Sequence, residues 1–207
     1  MMSSPPPPPS RAGTGRAFHN PRTGQTKVIH VVPGDDVCQI ESWNDPHMPV
    51  EPHHRHPKQE TRFWVLSGQL AFEIGDEVVH AKAGETAVVP PNTPHHFWND
   101  GEEVAHHMQE FRPALKIDKF FETLFGLARE DKLNERGTPN LLQLAVMLPV
   151  YRNEMRPMKP PWPILLPLAI LLYPFAYARG YRATYPQYHH GDTEAPPTPT
   201  PVDAGKA

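Results

Sequence analysis

The segment PHHRHPKQETRFWVLSG, residues 52–68, contains three histidines within four positions, and a glutamate follows them. In an extended strand, side chains two residues apart point to the same side, so His54 and His56 can bind one metal ion. A further histidine, His95, follows a turn in the segment GETAVVPPNTPHHFWN. Because neutral imidazole is the commonest metal ligand in proteins, the spacing predicts a metal site built from these three histidines.

The stretch between about Lys27 and Pro113 has the pattern of short strands separated by turns. Runs rich in β-branched residues, such as KVIHVV, alternate with breaks that contain glycine, proline or asparagine. Short strands at such regular spacing are typical of antiparallel sandwiches and barrels. We therefore expect a mostly β domain whose strands position the histidines.

The same residues match the pattern of a known family. The sequence resembles the cupin superfamily, whose two motifs are G(X)5HXH(X)3-4E(X)6G and G(X)5PXG(X)2H(X)3N. The second motif is matched by Gly84, Pro90, Asn92 in place of a glycine, His95 and Asn99. The first is matched by His54, His56, Glu60 and Gly68, whereas Met48 replaces its opening glycine. The resemblance covers less than half of the chain and implies an antiparallel jelly-roll β-barrel.

The resemblance also implies what the barrel holds. Cupins of this type bind a divalent transition metal inside the barrel, which is iron, manganese, nickel, zinc or copper. In this chain the ligands would be His54, His56, His95 and a glutamate. If the protein is an enzyme, Glu60 would complete the ligand shell and accept a proton.

The carboxylate ligand is ambiguous in this sequence. Glu60 has the family spacing from His56, but the gap from Glu60 to Gly68 is one residue too long. If Phe63 and Val65 face the interior, Thr61 faces it with them and Glu60 faces outward. Three arrangements stay open. A bulge can turn Glu60 inward, three histidines can leave an open position as in zinc or copper sites, or the barrel holds no metal.

Other inward-facing residues predict a small-molecule pocket. Phe63, Phe97 and Gln109 are its expected lining, with Trp98 near the mouth, which suits a small apolar or aromatic substrate. By analogy with relatives, His107 shares an inward face with Gln109. There His107 can be a further ligand or move protons as a catalytic base, or it can be a hydrogen-bonded interior histidine. His53 and His96 alternate with the ligands and are expected outside the site.

The sequence divides into five regions. We expect a disordered proline-rich tail at 1–20, the cupin barrel at 21–115, a helical extension at 116–157, an apolar helical segment at 158–182 and a second disordered tail at 183–207. Within the extension, Asp118 is the expected cap of a first helix and Asn140 that of a second. The apolar stripe of the first helix can form a homodimer surface or pack on its own barrel.

The segment WPILLPLAILLYPFAYA, residues 162–178, has no charged residue but contains three prolines. A spanning helix needs about 20 apolar residues. The segment is therefore expected either to pack on the barrel or a second subunit, or to associate with a membrane.

Composition excludes several classes of function. The net charge of -3, with no basic stripe, argues against a nucleic-acid partner. Cys38 is the only cysteine, so neither an internal disulfide nor a thiolate zinc cluster can form. The N-terminus has no apolar core of the kind found in secretory signals. We expect a cytoplasmic or membrane-associated protein that is not secreted.

Two functions are compatible with these residues. The first is a metal-dependent oxidoreductase, similar to dioxygenases, or an isomerase that acts on a small organic molecule. The second is a non-catalytic cupin that binds a small molecule and is tethered to a membrane or a partner by its C-terminal segment. The sequence identifies neither the substrate nor the ion.

Overall fold

The computed structural model describes residues 6–9, 15–32, 36–47 and 50–191 of the 207. Eleven strands form its two antiparallel sheets. They are β1 (Arg16–Asn20), β2 (Gln25–Val32), β3 (Val37–Asn44), β4 (His54–Arg55), β5 (Glu60–Ser67), β6 (Gln69–Ile74), β7 (Glu77–Lys82), β8 (Thr86–Val89), β9 (His95–Trp98), β10 (Ala105–Arg112) and β11 (Arg156–Pro157).

The two sheets form an open jelly-roll barrel. The six-stranded sheet has the order β1-β2-β3-β10-β5-β8, and the five-stranded sheet has the order β11-β4-β9-β6-β7. Within the described residues, no hydrogen-bonded strand pair joins an edge of one sheet to an edge of the other, so the barrel is not closed. The expected fold, a mostly β antiparallel barrel followed by helices, is confirmed.

Successive side chains along each strand point to opposite faces of the sheet, and those that point inward form the core between the two sheets. Phe63 and Val65 on β5 are buried together with Leu70, Phe72 and Phe97 from the opposite sheet. Burying one such side chain contributes about 1.5–3 kcal/mol. The same alternation places the polar residues of the inner faces in the space that remains between the sheets.

The N-terminal strand begins inside the region that the sequence assigned to a tail. β1 pairs with β2 from Arg16 to Asn20, and Phe18 is only 2% exposed. The proline run stops at Pro9, so the proline content that predicted a tail does not extend to these residues. The expected disorder of residues 1–5 and 10–14 lies outside the described residues.

Three helices follow the barrel: α1 (Ile117–Arg129), α2 (Leu141–Val150) and α3 (Trp162–Ala178). The Asn140 side chain accepts a hydrogen bond from the Gln143 backbone amide at 3.0 Å, as expected for the cap of α2. The prediction for α1 was wrong, because Lys116 occupies its N-cap without a side-chain bond and Asp118 lies in the first turn.

The helical extension packs on the barrel and shares a core with it. Phe111 and Ile40 of the barrel are buried with Phe125 of α1 and Tyr151 after α2. Beyond Tyr151 the chain forms β11, which adds to the five-stranded sheet beside β4, with Pro157 opposite His54. The extension therefore contacts the strand that carries the first histidine.

Helix α3 packs mainly against α2 and leaves part of its apolar surface exposed. Leu165 and Ala169 are buried against α2, whereas Leu171 is 73% exposed. Among the described residues, no helix combines the length and apolar character needed to cross a membrane. Membrane association and homodimer formation stay predictions.

The segment after α3 is also ordered as far as residue 191, within the region that the sequence assigned to the second tail. A short 3-10 helix, Pro186–Tyr188, places the buried ring of Tyr188 against Gly126 of α1. The expected disorder of residues 192–207 lies outside the described residues.

Gly126 provides a test of this packing. A Cβ atom at Gly126 would overlap the ring of Tyr188. Alanine in a helix is normally favoured over glycine by about 1 kcal/mol, but overpacking costs about 1–3 kcal/mol. We therefore expect Gly126→Ala to lower the free energy of unfolding, measured by urea denaturation.

The double variant Gly126→Ala/Tyr188→Ala is the matched control for this substitution. Without the ring, alanine should stabilise the helix relative to Tyr188→Ala alone, so the two substitutions should not be additive. A single variant Gly126→Ala as stable as the wild type would contradict the described packing.

Candidate metal centre

Three buried histidines converge at one end of the five-stranded sheet. His54 on β4 lies directly opposite His95 on β9, and His56 follows two residues after His54. One nitrogen from each ring lies within 4.8 Å of the others, so the three could hold a metal ion. The structure thus brings together the three histidines that the sequence selected.

Backbone carbonyl groups set the tautomer of all three rings. The Nδ1 atom of His54 lies 3.0 Å from the Pro52 carbonyl oxygen. That of His56 lies 2.5 Å from the Glu154 carbonyl oxygen, and that of His95 lies 2.9 Å from the Thr93 carbonyl oxygen. A carbonyl oxygen can only accept, so each Nδ1 must carry the proton. Each Nε2 is left as a lone-pair donor, which is the arrangement that supports imidazole ligands in metal sites.

Burial keeps these imidazoles neutral. Desolvation lowers the pKa of His54 to about 4 and that of His95 to about 3, and it holds the pKa of His56 well below its usual value. Metal binding requires neutral histidine. The three side chains are therefore already in the form that binds an ion at neutral pH, so the donor set fits a divalent metal.

A tight turn holds the third histidine beside the first two. Asn92, which stands in place of a glycine, has a positive φ of 64°, a conformation that asparagine tolerates in turns. Its backbone amide donates to the His56 carbonyl oxygen at 2.8 Å. The turn between β8 and β9 is therefore tied directly to the segment that carries His54 and His56.

Glu60 does not join the three histidines. Its side chain is 41% exposed, and its carboxylate accepts a hydrogen bond from Arg62 at 3.0 Å. Thr61 is fully buried instead, and its hydroxyl has no hydrogen-bond partner among the described residues. The pairing of β5 with β8 and β10 is regular here, so the bulge that would turn Glu60 inward is not seen.

A cavity of ≈ 140 Å³ adjoins the histidines. The barrel and the helical extension both line it, with His54 and His56 on one side and helix α1 on another. Phe97 and Gln109, two of the three residues expected to line the substrate pocket, lie in its wall. Phe63 does not, because it is packed at 0% exposure in the barrel core, and Trp98 contacts His96 on the outer face.

His107 is buried away from this cavity. It lies between the rings of Phe63 and Phe97, at 5.8 and 5.7 Å between centroids. Neither ring nitrogen has a hydrogen-bond partner in the described part of the chain, and burial holds its pKa well below the usual value. The inward orientation agrees with the sequence, but nothing places His107 next to a bound molecule.

The structure adds Lys27 to the cavity wall, which the sequence analysis missed. Lys27 is 1% exposed and lies on β2 between the inward positions Gln25 and Ile29. Lys27 lies two residues before Ile29, so strand alternation places both side chains on the same face. This spacing was the available signal in the sequence that Lys27 points inward. The β-branched character of KVIHVV alone does not indicate that Lys27 is buried.

A second histidine group lies on the outer face of the same sheet. His53 and His96 stack at 3.8 Å between ring centroids, and their Nε2 atoms lie 3.1 and 3.4 Å from the two oxygens of Glu73. This group could also hold an ion. Any measurement of metal content must therefore distinguish the inner and outer groups.

Comparison with known proteins gives the following similarities. The chain is 31% identical over 121 residues to an oxidoreductase of Arthrobotrys oligospora, an alignment that covers 54% of this chain and 46% of the relative. The chain thus spans less than half the length of this relative.

Solved structures also match part of this chain. KdgF from Halomonas sp. is 21% identical, with 46% of this chain and 86% of that chain covered and a TM-score of 0.41. A double-stranded β-helix protein from Klebsiella pneumoniae is 23% identical, with 52% and 84% covered and a TM-score of 0.38. Bacillus subtilis oxalate decarboxylase is 16% identical, with 42% and 26% covered and a TM-score of 0.38.

The family model that matches is described as the cupin domain and covers residues 45–108, which include all three inner histidines and the turn between them. This match and the open jelly-roll fold described above support the assignment of the matched region to the cupin superfamily.

Proposed function

We propose that the protein is a metal-dependent oxidoreductase that acts on a small organic molecule within the barrel. The observation that carries this proposal is the set of three buried, neutral histidines, two of which, His54 and His56, line a cavity. The similarity to a protein named as an oxidoreductase supports it.

His54, His56 and His95 would hold the ion through their Nε2 atoms. A divalent iron, manganese, nickel, copper or zinc ion bound there supplies a Lewis acid and, where it is redox-active, electron-transfer chemistry. With Thr61 rather than Glu60 facing inward, the donor set of three histidines is closer to known zinc and copper sites than to the iron site with two histidines and one carboxylate.

The remaining residues of the cavity bind the substrate and exclude water. Aromatic and aliphatic side chains from α1 and α2 cover the side of the cavity that faces away from the sheets; they include Phe120, Phe121, Leu124, Leu144 and Met147. Such a lining favours a small apolar or aromatic molecule. The extension therefore both closes the site and contributes to its specificity.

A non-catalytic binding protein is the second candidate. The observation that favours it is Thr61, which occupies the inward position where the family has a carboxylate. Oxygen uptake decides between the two functions, because a binding protein would consume none. The assay uses protein loaded separately with iron, copper or manganese, aromatic and polyketide-like compounds, and His54→Ala/His95→Ala as the inactive control.

Substitutions of His95 and His96, which are adjacent in sequence but belong to the inner and outer groups, test the location of the metal. We expect His95→Ala to lose the tightly bound ion, measured by elemental analysis of protein purified without chelators or an affinity tag. His96→Ala is the matched control, because it removes a neighbouring imidazole from the outer group only. An ion lost from His96→Ala but kept by His95→Ala would assign the metal to the outer group.

The orientation of Glu60 makes a second prediction. We expect Glu60→Gln to change the metal affinity less than twofold in a competition assay with a chromogenic chelator, because its carboxylate pairs with Arg62. A tenfold or larger loss, equivalent to about 1.4 kcal/mol, would show that Glu60 turns inward when the ion binds.

The low pKa values of the histidines make a third prediction, for metal-free protein. These groups bind protons more weakly in the folded state than in the unfolded state, where the pKa is about 6.5. Stability is therefore fully present above pH 6.5 and falls as the pH decreases towards 4, by up to about 1.4 kcal/mol per pH unit for each histidine.

Urea denaturation at several pH values measures this dependence. His54→Asn/His95→Asn should have a shallower slope than the wild type. Equal slopes in the wild type and the double variant would show that His54 and His95 are protonated in the folded protein.

A further inference from the structure

Lys27 is a buried cation whose hydrogen-bonding partners are neutral. Its Nζ atom lies 3.3 Å from Ser42 Oγ and 3.4 Å from Gln109 Oε1. On another side it lies 5.0 Å from the centroid of the Phe121 ring. The two hydrogen bonds are long, so they compensate only partly for the water that the ammonium group loses.

No carboxylate of the described residues lies within ion-pair distance of this ammonium group. The charge of Glu51 raises the pKa of Lys27, but the Glu51 carboxylate accepts a 2.6 Å hydrogen bond from Gln25 and forms no ion pair with Lys27. Burial lowers the pKa of Lys27 to about 8, so the side chain remains mostly protonated at pH 7. Burying such a charge without a counter-ion costs several kcal/mol.

Lys27 also lines the same cavity as the metal-site histidines. His54, His56 and Gln109 are in the wall with it, whereas most of the remaining wall is apolar. The cavity of ≈ 140 Å³ is similar in size to a cavity of about 150 Å³ that binds benzene. A molecule that fills it would meet the buried Lys27 ammonium group and a mainly apolar surface, with polar side chains that include Glu51 and Arg136.

We propose that Lys27 binds the anionic group of the substrate, which is a small organic acid with an apolar or aromatic remainder. A carboxylate that enters the cavity supplies the missing counter-ion, and the aromatic side chains of α1 enclose the rest of the molecule. The inference rests on the proposed function only in using the same cavity, because the anion site does not require a metal.

Selectivity for charge tests the anion site directly. Benzoate and benzamide have nearly the same shape and differ in charge. For metal-free wild-type protein at pH 7, we expect isothermal titration calorimetry to show benzoate binding at least tenfold tighter than benzamide. Equal affinities, or no detectable benzoate binding, would overturn the proposal.

Lys27→Met assigns this selectivity to one residue. Methionine keeps a long side chain without the charge, so the preference for benzoate should fall to less than twofold. Lys58→Met is the matched control, because it removes the charge of an exposed lysine and should retain the full preference. A preference that survives Lys27→Met would also overturn the proposal.

Stability distinguishes a ligand-binding lysine from one that supports the fold. Without an anion, Lys27→Met should unfold at the same urea concentration as the wild type or at a higher one, because it removes an uncompensated buried charge. A lower midpoint would assign Lys27 a structural role. The wild-type comparison of benzoate with benzamide needs no variant, so it stands even if Lys27→Met does not fold.

Metal-free and zinc-loaded samples separate this inference from the proposed function. If the charge preference is present without metal but no metal binds, the anion site stands and the metal-dependent activity fails. If the preference appears only with zinc and is unchanged in Lys27→Met, the ion rather than Lys27 binds the acid, and this inference fails while the metal site stands.

Discussion

The site depends on three imidazole rings that must be neutral, buried and protonated on the same nitrogen. Each ring meets this requirement by donating Nδ1–H to a backbone carbonyl group, of Pro52, Thr93 or Glu154. Two of these acceptors lie two residues before the histidine that they orient. The third comes from the helical extension, so the barrel and the extension jointly determine the geometry of the site.

Alternation in β4 and β9 explains why the histidines are divided between two faces. His54 and His95 form a cross-strand pair, so they share one face, and their burial shows that this face is the interior. Their neighbours His53 and His96 then point to the other face. The same rule separates Thr61 from Glu60 on β5. Among the described residues, the inner histidine group therefore includes no carboxylate, although an acidic residue is adjacent to Thr61 in the sequence.

Local patterns predicted the parts of the structure that depend on local geometry. The HxH spacing, the positive φ of Asn92 and the Asn140 cap follow from residues a few positions apart. The burial of Lys27 and the Glu154 acceptor depend on residues distant in sequence. The sequence could place Phe63 inward, but not show that Phe63 fills the core while Phe97 reaches the cavity, because that depends on how the two sheets face each other.

The hydrogen bond from His56 to Glu154 joins residues 98 positions apart. A chain that has emerged from the ribosome only as far as β10 contains all three imidazoles but lacks the acceptor that orients one of them. The complete donor set can therefore form only late in biosynthesis, after the extension has been made and has folded back onto β4. Until then, an ion that reaches the barrel would meet two oriented ligands and a third that is free to change its tautomer.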